Sequence, residues 1–290
     1  MQNKLKIIAK DTNSYLKRFI KRQKKSQLMK AMQYGLFSRG KKIRSKILLD
    51  IASLFKIKYR PMIIIGSAVE CIHSYSLIHD DLPCMDDDIV RRGKPSTHVR
   101  FGESTAILAG NSLLTMAFEI LSHKDLNLSD KTKINLINKI SECSGHLGVA
   151  GGQFLDLNFE HKKISKKKIV EMEIKKTGKL FSFCCAAPLI IKNKNYKEIK
   201  KFENIGAEIG LLFQVADDLI DYGGSSIIAG KKTGKDKKRG KATLISLLGH
   251  KNTIKYADEL IFRINNKLKN YGANTKNLSE TLEYILNRDK

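Results

Sequence analysis

The sequence predicts an all-α fold in one large domain over residues 1–290. Apolar residues recur at helical spacing almost throughout the chain, and few stretches show the alternating, β-branched pattern of a strand. The chain has only four prolines and no Pro-rich or Gly/Ser-rich linker. No internal repeat is present that would indicate a solenoid. A single helical domain is the simplest structure that accounts for these features.

The helices can be placed in order along the chain. They are predicted over residues 2–37 (two helices), 43–55, 61–80, 105–121, 129–146, 165–191 and 198–222, with two or three more after 241. Pro61 begins the long apolar helix and Pro83 stops it. A polar loop is expected at 86–104 and a Gly- and Lys-rich loop at 223–241.

The net charge of +25 invites a nucleic-acid interpretation, but the kind of basic residue argues against it. Lysines outnumber arginines about four to one and are scattered among many Ile and Asn residues, as in proteins from AT-rich genomes. Recognition of bases and phosphates favours the forked guanidinium of arginine. The composition therefore disfavours specific nucleic-acid binding and suits a small polyanionic substrate.

Cysteine usage and apolar segments predict a soluble, cytoplasmic protein with no membrane span. The five cysteines form no CxxC pair, and an odd number favours reduced thiols. Residues 1–10 are charged and lack the apolar centre of a signal peptide. The longest apolar runs, near 62–72 and 180–191, fall short of the roughly 20 residues that cross a bilayer.

The first acidic cluster contains five carboxylates in the nine residues 80–88. Such a run is repulsive unless cations neutralise it. Asp80 and Asp81 end an apolar helix, and the stop at Pro83 allows the chain to turn back so that Asp86 meets Asp80. Taken alone, this stretch is equally consistent with a solvated acidic loop.

The second acidic cluster favours a metal site. Asp217 and Asp221 are four residues apart on a helix and share a face, with Asp218 beside them. The helix is otherwise apolar, and buried carboxylates are costly unless they are paired or bind a metal. Because no Cys or His ligand pattern lies nearby, the clusters favour Mg²⁺. Several Mg²⁺ ions are expected to bridge both clusters to a substrate diphosphate.

Basic residues next to turns provide candidate phosphate ligands, at 40–44, 91–93, 176–178 and 231–234. In this lysine-rich chain a single lysine is most simply a surface residue. The pair Arg91 and Arg92 directly after the first acidic cluster is more informative, because the chain has only eleven arginines.

These segments together resemble the signatures of bacterial farnesyl diphosphate synthases, in the short-chain trans-polyprenyl diphosphate synthase family. ECIHSYSLIHDDLPCMDDDIVRRG (70–93) is similar to the first aspartate-rich region in its DDxxxxD form, and FQVADDLID (213–221) to the second. GGQFLDL, KTGKL and the lysine loop GKKTGKDKKRGKAT also match. The resemblance runs in order over about 34–290, which makes it far more specific than one DDxxD motif.

The resemblance implies a fold and a reaction. The fold would be the isoprenoid synthase fold, with antiparallel helices around a central active-site cavity, usually in a homodimer. The reaction would be Mg²⁺-assisted ionisation of dimethylallyl or geranyl diphosphate, followed by alkylation of isopentenyl diphosphate by the carbocation, to give farnesyl diphosphate.

The resemblance also implies roles for individual residues. The metal ligands would be Asp80, Asp81, Asp86, Asp217, Asp218 and Asp221, supported by Asp156. The allylic diphosphate would contact Arg91, Lys176, Thr177, Gln214, Lys231 and Lys241, of which Lys176, Thr177 and Gln214 would be catalytic. The isopentenyl diphosphate would contact Gly40, Lys41, Arg44, His73 and Arg92. An ordinary helix histidine is the alternative for His73, and packing or capping is the alternative for Thr177 and Gln214.

Tyr75 is the candidate determinant of product length. It lies five residues before Asp80, about 7.5 Å deeper along the helix axis. In the resembling family an aromatic residue here, with the two-residue insertion of the DDxxxxD form, marks farnesyl producers. The neighbouring Ser76 is too small to block a growing chain. The alternative is a core or dimer-interface aromatic.

Four residues depart from the family pattern. Arg39 replaces a glycine, Ser45 a common proline, Asn111 a common aspartate and Ala216 a common glutamine. None removes an expected metal ligand. The alternatives left open are a geranylgeranyl or longer-chain synthase and a non-catalytic prenyltransferase-like subunit, with a nucleic-acid-binding protein third.

Overall fold

The computed structural model describes residues 1–38, 40–222, 241–272 and 274–287. These residues are predominantly α-helical, which confirms the predicted fold class. The helices are α1 (Gln2–Ile20), α2 (Gln27–Leu36), α3 (Ile43–Leu54), α4 (Tyr59–Asp80), α5 (Thr97–Phe101), α6 (Glu103–Ser122), α7 (Asp130–Ser144), α8 (Val149–Phe159), α9 (Lys166–Glu173), α10 (Lys179–Ile191), α11 (Tyr196–Tyr222), α12 (Leu244–Leu248), α13 (His250–Leu268) and α14 (Thr275–Asn287). A π-helical turn, Ile174–Gly178, joins α9 to α10, and a 3₁₀ turn, Lys269–Tyr271, follows α13.

The segment predicted as a plain polar loop at 86–104 contains more structure than expected, so that prediction was wrong. Strands β1 (Val90–Arg91) and β2 (Lys94–Pro95) pair antiparallel, and α5 follows them. Arg92 and Gly93 connect the strands with φ angles of 54° and 76°. Two successive positive φ angles are those of a type I′ turn, whose twist matches that of a hairpin. Strands of two residues are too short to give an alternating sequence pattern.

The first of two compact units comprises residues 1–49 and 57–138. Its central helix α4 packs against α1, α2 and α6, which explains why apolar residues occur on nearly all its sides. Gly110 on α6 lets the imidazole of His79 approach closely, because a Cβ there would overlap the ring. His79 Nε2 lies 3.0 Å from the carbonyl oxygen of Ile107. This contact fixes the end of α4 that precedes the acidic cluster.

The second unit comprises residues 50–56 and 139–290. Helix α11 packs along α10, α13 and α14. Two glycines of α11 permit close backbone approach: a Cβ at Gly206 would lie 2.5 Å from the carbonyl oxygen of Phe181, and one at Gly210 would overlap Gly178. The π-helical turn is thereby held directly against α11.

Within the described residues, α4 and α6 are long and apolar enough to cross a membrane by length and composition alone. Of their apolar windows, 72% in α4 and 44% in α6 is buried within the protein. Core helices of soluble proteins meet the same criterion, so these two helices are weak evidence for a membrane span. Both helices are longer than the uninterrupted apolar runs of the sequence, because polar residues interrupt their apolar stretches.

Candidate active site

The first acidic cluster turns back on itself after α4. The amide of Asp86 donates a hydrogen bond to the carbonyl oxygen of Asp80 at 2.8 Å, and that of Asp88 to the carbonyl oxygen of Asp81 at 3.1 Å. Asp80 and Asp86 are half-buried, whereas Asp87 is exposed with a φ of 47°. The backbone therefore places Asp80 and Asp86 next to each other, as the stop at Pro83 had indicated.

Asp81 and Asp88 form a clamp on Arg91. Arg91 Nε donates to Asp81 Oδ1 at 2.8 Å, and its Nη2 donates to the same oxygen and to Asp88 Oδ2, the latter at 3.1 Å. Burial raises the pKa of Asp81, and the Arg91 guanidinium opposes that rise. The sequence predicted Asp81 as a metal ligand, whereas in the structure its carboxylate accepts hydrogen bonds from Arg91. Asp88, which sequence reasoning passed over, completes the clamp.

A basic cluster surrounds His73. Burial lowers the pKa of His73, and the charges of Arg44, Arg92, Lys42 and Arg91 lower it further, which favours a neutral imidazole. These cations are therefore close enough for their charges to act on one histidine of α4. Of the residues predicted for isopentenyl diphosphate, Arg44, His73 and Arg92 come together here.

Arg92 reaches the turn before α3. Its Nη1 donates to Ser38 Oγ at 3.1 Å. A Cβ at Gly40 would lie 2.7 Å from the same nitrogen, so the missing side chain makes room for the guanidinium. Lys41 is exposed beside this contact. Arg39 lies outside the described residues.

The second acidic cluster lies on α11, with Asp218 and Asp221 buried and Asp217 exposed. A chain of hydrogen bonds reaches it from the π-helical turn. Thr177 Oγ1 donates to Gln214 Oε1 at 3.2 Å, and Gln214 Nε2 donates to Asp218 Oδ1 at 3.0 Å. Thr177 and Gln214, both predicted to be catalytic, are thus connected to the cluster.

Asp156 on α8 contacts the side chains of two lysines. Its Oδ2 accepts hydrogen bonds from Lys176 Nζ at 2.5 Å and from Lys241 Nζ at 3.1 Å. Burial favours the neutral acid, but the two ammonium groups outweigh burial and lower the pKa of Asp156 from 3.8 to about 2. Lys231, also predicted at this diphosphate site, lies outside the described residues.

Gly152 is the reason that α8 can reach the π-helical turn. A Cβ at this position would overlap the backbone nitrogen of Lys176. The same buried face of α8 carries Gln153, whose two amide atoms have no hydrogen-bond partner among the described residues. Buried amides without partners are uncommon, so Gln153 is a residue of interest that sequence reasoning missed. Its position three residues before Asp156 was the available signal.

The donor set suits Mg²⁺. Within the described ranges, no group of three or more His, Cys, Asp or Glu side chains is preassembled around a metal position. Mg²⁺ needs no such cage, because it typically binds one or two carboxylates and takes its other ligands from water and substrate phosphates. Asp80, Asp86 and Asp217 offer carboxylate oxygens with some solvent access, and they fit this chemistry.

Comparison with known proteins gives consistent results. The polyprenyl synthetase family model matches residues 25–285. A farnesyl diphosphate synthase from Escherichia coli is 37% identical over 99% of this chain and 98% of its own. One from Micrococcus luteus is 38% identical over 91% of this chain and 90% of its own.

Solved structures agree with the sequence comparison. An FPP/GFPP synthase from Zymomonas mobilis superimposes with a TM-score of 0.86 at 33% identity, covering 98% of this chain and 100% of that one. A geranyltransferase from Helicobacter pylori, complexed with magnesium and isoprenyl diphosphate, gives a TM-score of 0.82 at 31% identity, covering 96% and 95%. The isoprenoid synthase fold is confirmed, and the chain belongs to the polyprenyl synthetase family.

Proposed function

We propose that this protein is a farnesyl diphosphate synthase, which extends dimethylallyl and then geranyl diphosphate with isopentenyl diphosphate. The observation that carries the proposal is the pair of ammonium groups, from Lys176 and Lys241, held by the buried carboxylate of Asp156. Two adjacent cations suit a diphosphate. The farnesyl diphosphate synthases that resemble the chain over almost its full length support the same reaction.

The proposed chemistry is ionisation followed by alkylation. Bound Mg²⁺ would neutralise the diphosphate and make it a good leaving group. Asp80, Asp86 and Asp217 would supply carboxylate oxygens for several ions. Lys176, Lys241 and Arg91 would hold the allylic diphosphate, while apolar helix faces exclude water from the carbocation. The isopentenyl double bond would attack that cation, with the proton lost to the departing pyrophosphate.

Product analysis tests this function directly. Purified protein is incubated with Mg²⁺, labelled isopentenyl diphosphate and either dimethylallyl or geranyl diphosphate, and the products are sized. Fifteen-carbon product from both starters is expected. Products of twenty or more carbons would instead indicate a geranylgeranyl or longer-chain synthase. Absence of turnover with every starter would favour a non-catalytic subunit.

A homodimer is part of the same proposal. Helix α6 leaves the adjacent apolar residues Ile107 and Leu108 40% and 54% exposed. An exposed apolar helix face suits a partner surface. Sedimentation should give twice the monomer mass, and Leu108→Lys should shift the population toward monomer. A wild-type monomer at micromolar concentration would contradict the dimer.

The remaining features of the proposal concern organisation and location. Because the family model matches residues in both compact units, we propose one catalytic domain that spans the chain. The protein would act in the cytoplasm, without a membrane span and without specific nucleic-acid binding.

A further inference from the structure

Lys42, a member of the basic cluster that is not among the predicted ligands, belongs to a buried ion pair. Lys42 Nζ is 3.2 Å from Glu70 Oε2, and the two side chains are only 4% and 3% exposed. The second carboxylate oxygen is also used, because Ser45 Oγ donates to Glu70 Oε1 at 3.2 Å. Both oxygens of Glu70 therefore fix groups at the start of α3.

The backbone of Lys42 is held in an unfavourable conformation. Its φ of 51° lies in the left-handed region, which is unfavourable for a residue with a Cβ. Such a conformation persists only where the surroundings determine it. A buried ammonium group must be paired. The pairing with Glu70 satisfies that ammonium group and so constrains the side chain of Lys42.

The conformation of Lys42 decides where its neighbours lie. Lys41 precedes it, and Arg44 follows in the first turn of α3. On the other side, Glu70 is one turn before His73 on α4. The ion pair therefore joins the start of α3 to α4 at the level of the histidine that the cations surround.

Ser45 adapts this chain to the ion pair. Here the hydroxyl binds Glu70, and Gly66, one turn before Glu70, leaves space for it: a Cβ at Gly66 would lie 2.9 Å from Ser45 Oγ. The departure from the family pattern thus provides the hydrogen bond to the second oxygen of Glu70.

We propose that Glu70, acting through Lys42, is a positioning residue for the isopentenyl diphosphate site. It directs Lys41 and Arg44 toward that diphosphate without touching it. The inference rests on the proposed function, because it takes Lys41 and Arg44 as ligands of isopentenyl diphosphate.

The test compares Lys42→Met, Glu70→Gln and the double variant. Replacing both members of a buried ion pair with neutral groups often preserves stability. The amide introduced by Glu70→Gln would also keep an acceptor for Ser45. The double variant is therefore expected to melt near the wild-type temperature. Steady-state kinetics give kcat and both KM values, and titration calorimetry gives direct binding of isopentenyl diphosphate.

In all three variants, including the stable double, the KM and Kd for isopentenyl diphosphate should rise about tenfold or more. The KM for the allylic diphosphate and kcat at saturation should change by less than about twofold. The matched control is Lys139→Met with Glu203→Gln, which removes a Lys–Glu pair at 2.7 Å in the second unit. That control should leave isopentenyl affinity near wild type.

Wild-type isopentenyl affinity in the stable double variant would overturn the proposal, because the pair would then be structural only. Equal rises in both KM values would overturn it as well. A wild-type protein that binds isopentenyl diphosphate without turnover would refute the proposed function. Comparing the Kd of wild type with those of the variants would still test the role of Glu70. A wild type that does not bind isopentenyl diphosphate would refute both.

Discussion

Lys176 Nζ donates a hydrogen bond to Asp156 Oδ2 at 2.5 Å. The side chain of Asp156 is buried, and Lys241 shares the same oxygen. One carboxylate thus places two cations from separate segments of the chain next to each other. Preorganised charges need less rearrangement when the substrate arrives.

The first prediction concerns acid stability. The pKa of Asp156 is lowered from 3.8 to about 2 in the folded protein, so the unfolded chain binds more protons between these values. The stabilisation by Asp156 is therefore complete above about pH 4 and is lost as pH falls toward about 2. Over that interval the free energy of unfolding of wild type should fall by about 2 kcal/mol more than that of Asp156→Asn. Urea unfolding at several pH values measures this difference, and identical pH slopes would contradict it.

The second prediction concerns metal dependence. Asp80→Ala and Asp217→Ala should each lower kcat by a factor of about 100 or more, because each removes a carboxylate that helps to stabilise leaving-group charge. Chelation of Mg²⁺ should abolish turnover of wild type, while circular dichroism remains unchanged. Near-normal turnover in either variant would refute the proposed metal ligands.

Asp87→Asn is the control for Asp80→Ala. Asp87 lies in the same loop, is exposed and has a positive φ that asparagine tolerates. The control should retain wild-type kcat within about twofold. A loss as large as that of Asp80→Ala would indicate that total loop charge matters instead of individual ligands.

The third prediction concerns the clamp on Arg91. Asp81→Asn should free the guanidinium and raise the KM for the allylic diphosphate about tenfold, with a smaller effect on isopentenyl diphosphate. Arg91→Lys should have a similar effect, because an ammonium group cannot make the paired contact with Asp81 and Asp88. Steady-state kinetics with each substrate varied in turn provides the measurement. A selective loss of kcat in Asp81→Asn would instead assign Asp81 to the metal.

The fourth prediction concerns product length. Tyr75 lies half-buried, and its ring makes a T-shaped contact with that of His79 at a centroid distance of 4.9 Å. Tyr75→Ala should shift products from fifteen toward twenty or more carbons, because the ring no longer limits the tail. Tyr75→Phe keeps the ring and should keep the fifteen-carbon product. The measurement is the chain length of the reaction products. Unchanged product lengths in Tyr75→Ala would mean that another residue limits the chain.

Sequence patterns predicted the features that depend on local spacing. Pro83 indicated the end of α4 and the return of Asp86 to Asp80, and helical spacing indicated that Asp217 and Asp221 share a face. Apolar periodicity likewise predicted most helix positions to within a few residues.

Pairings between distant residues could not be predicted in this way. The partners of Asp156 lie 20 and 85 positions away, and no periodicity links them. A glutamate in an apolar helix, such as Glu70, is uninformative until its partner is known. Arg91 lies in a hairpin whose strands are too short to give an alternating pattern in the sequence.

Because of the π-helical turn at Ile174–Gly178, the geometry of the site depends on the number of residues in this turn as well as on their identity. A π turn contains one residue more than an α turn, which corresponds to about 100° of rotation about the helix axis. Deleting Lys175 would retain Lys176 and Thr177 yet turn them away from Asp156 and Gln214. Inserting or deleting one residue at 174–178 should therefore be tolerated far less than replacing a side chain there. The geometry of the site therefore depends on the register of α10.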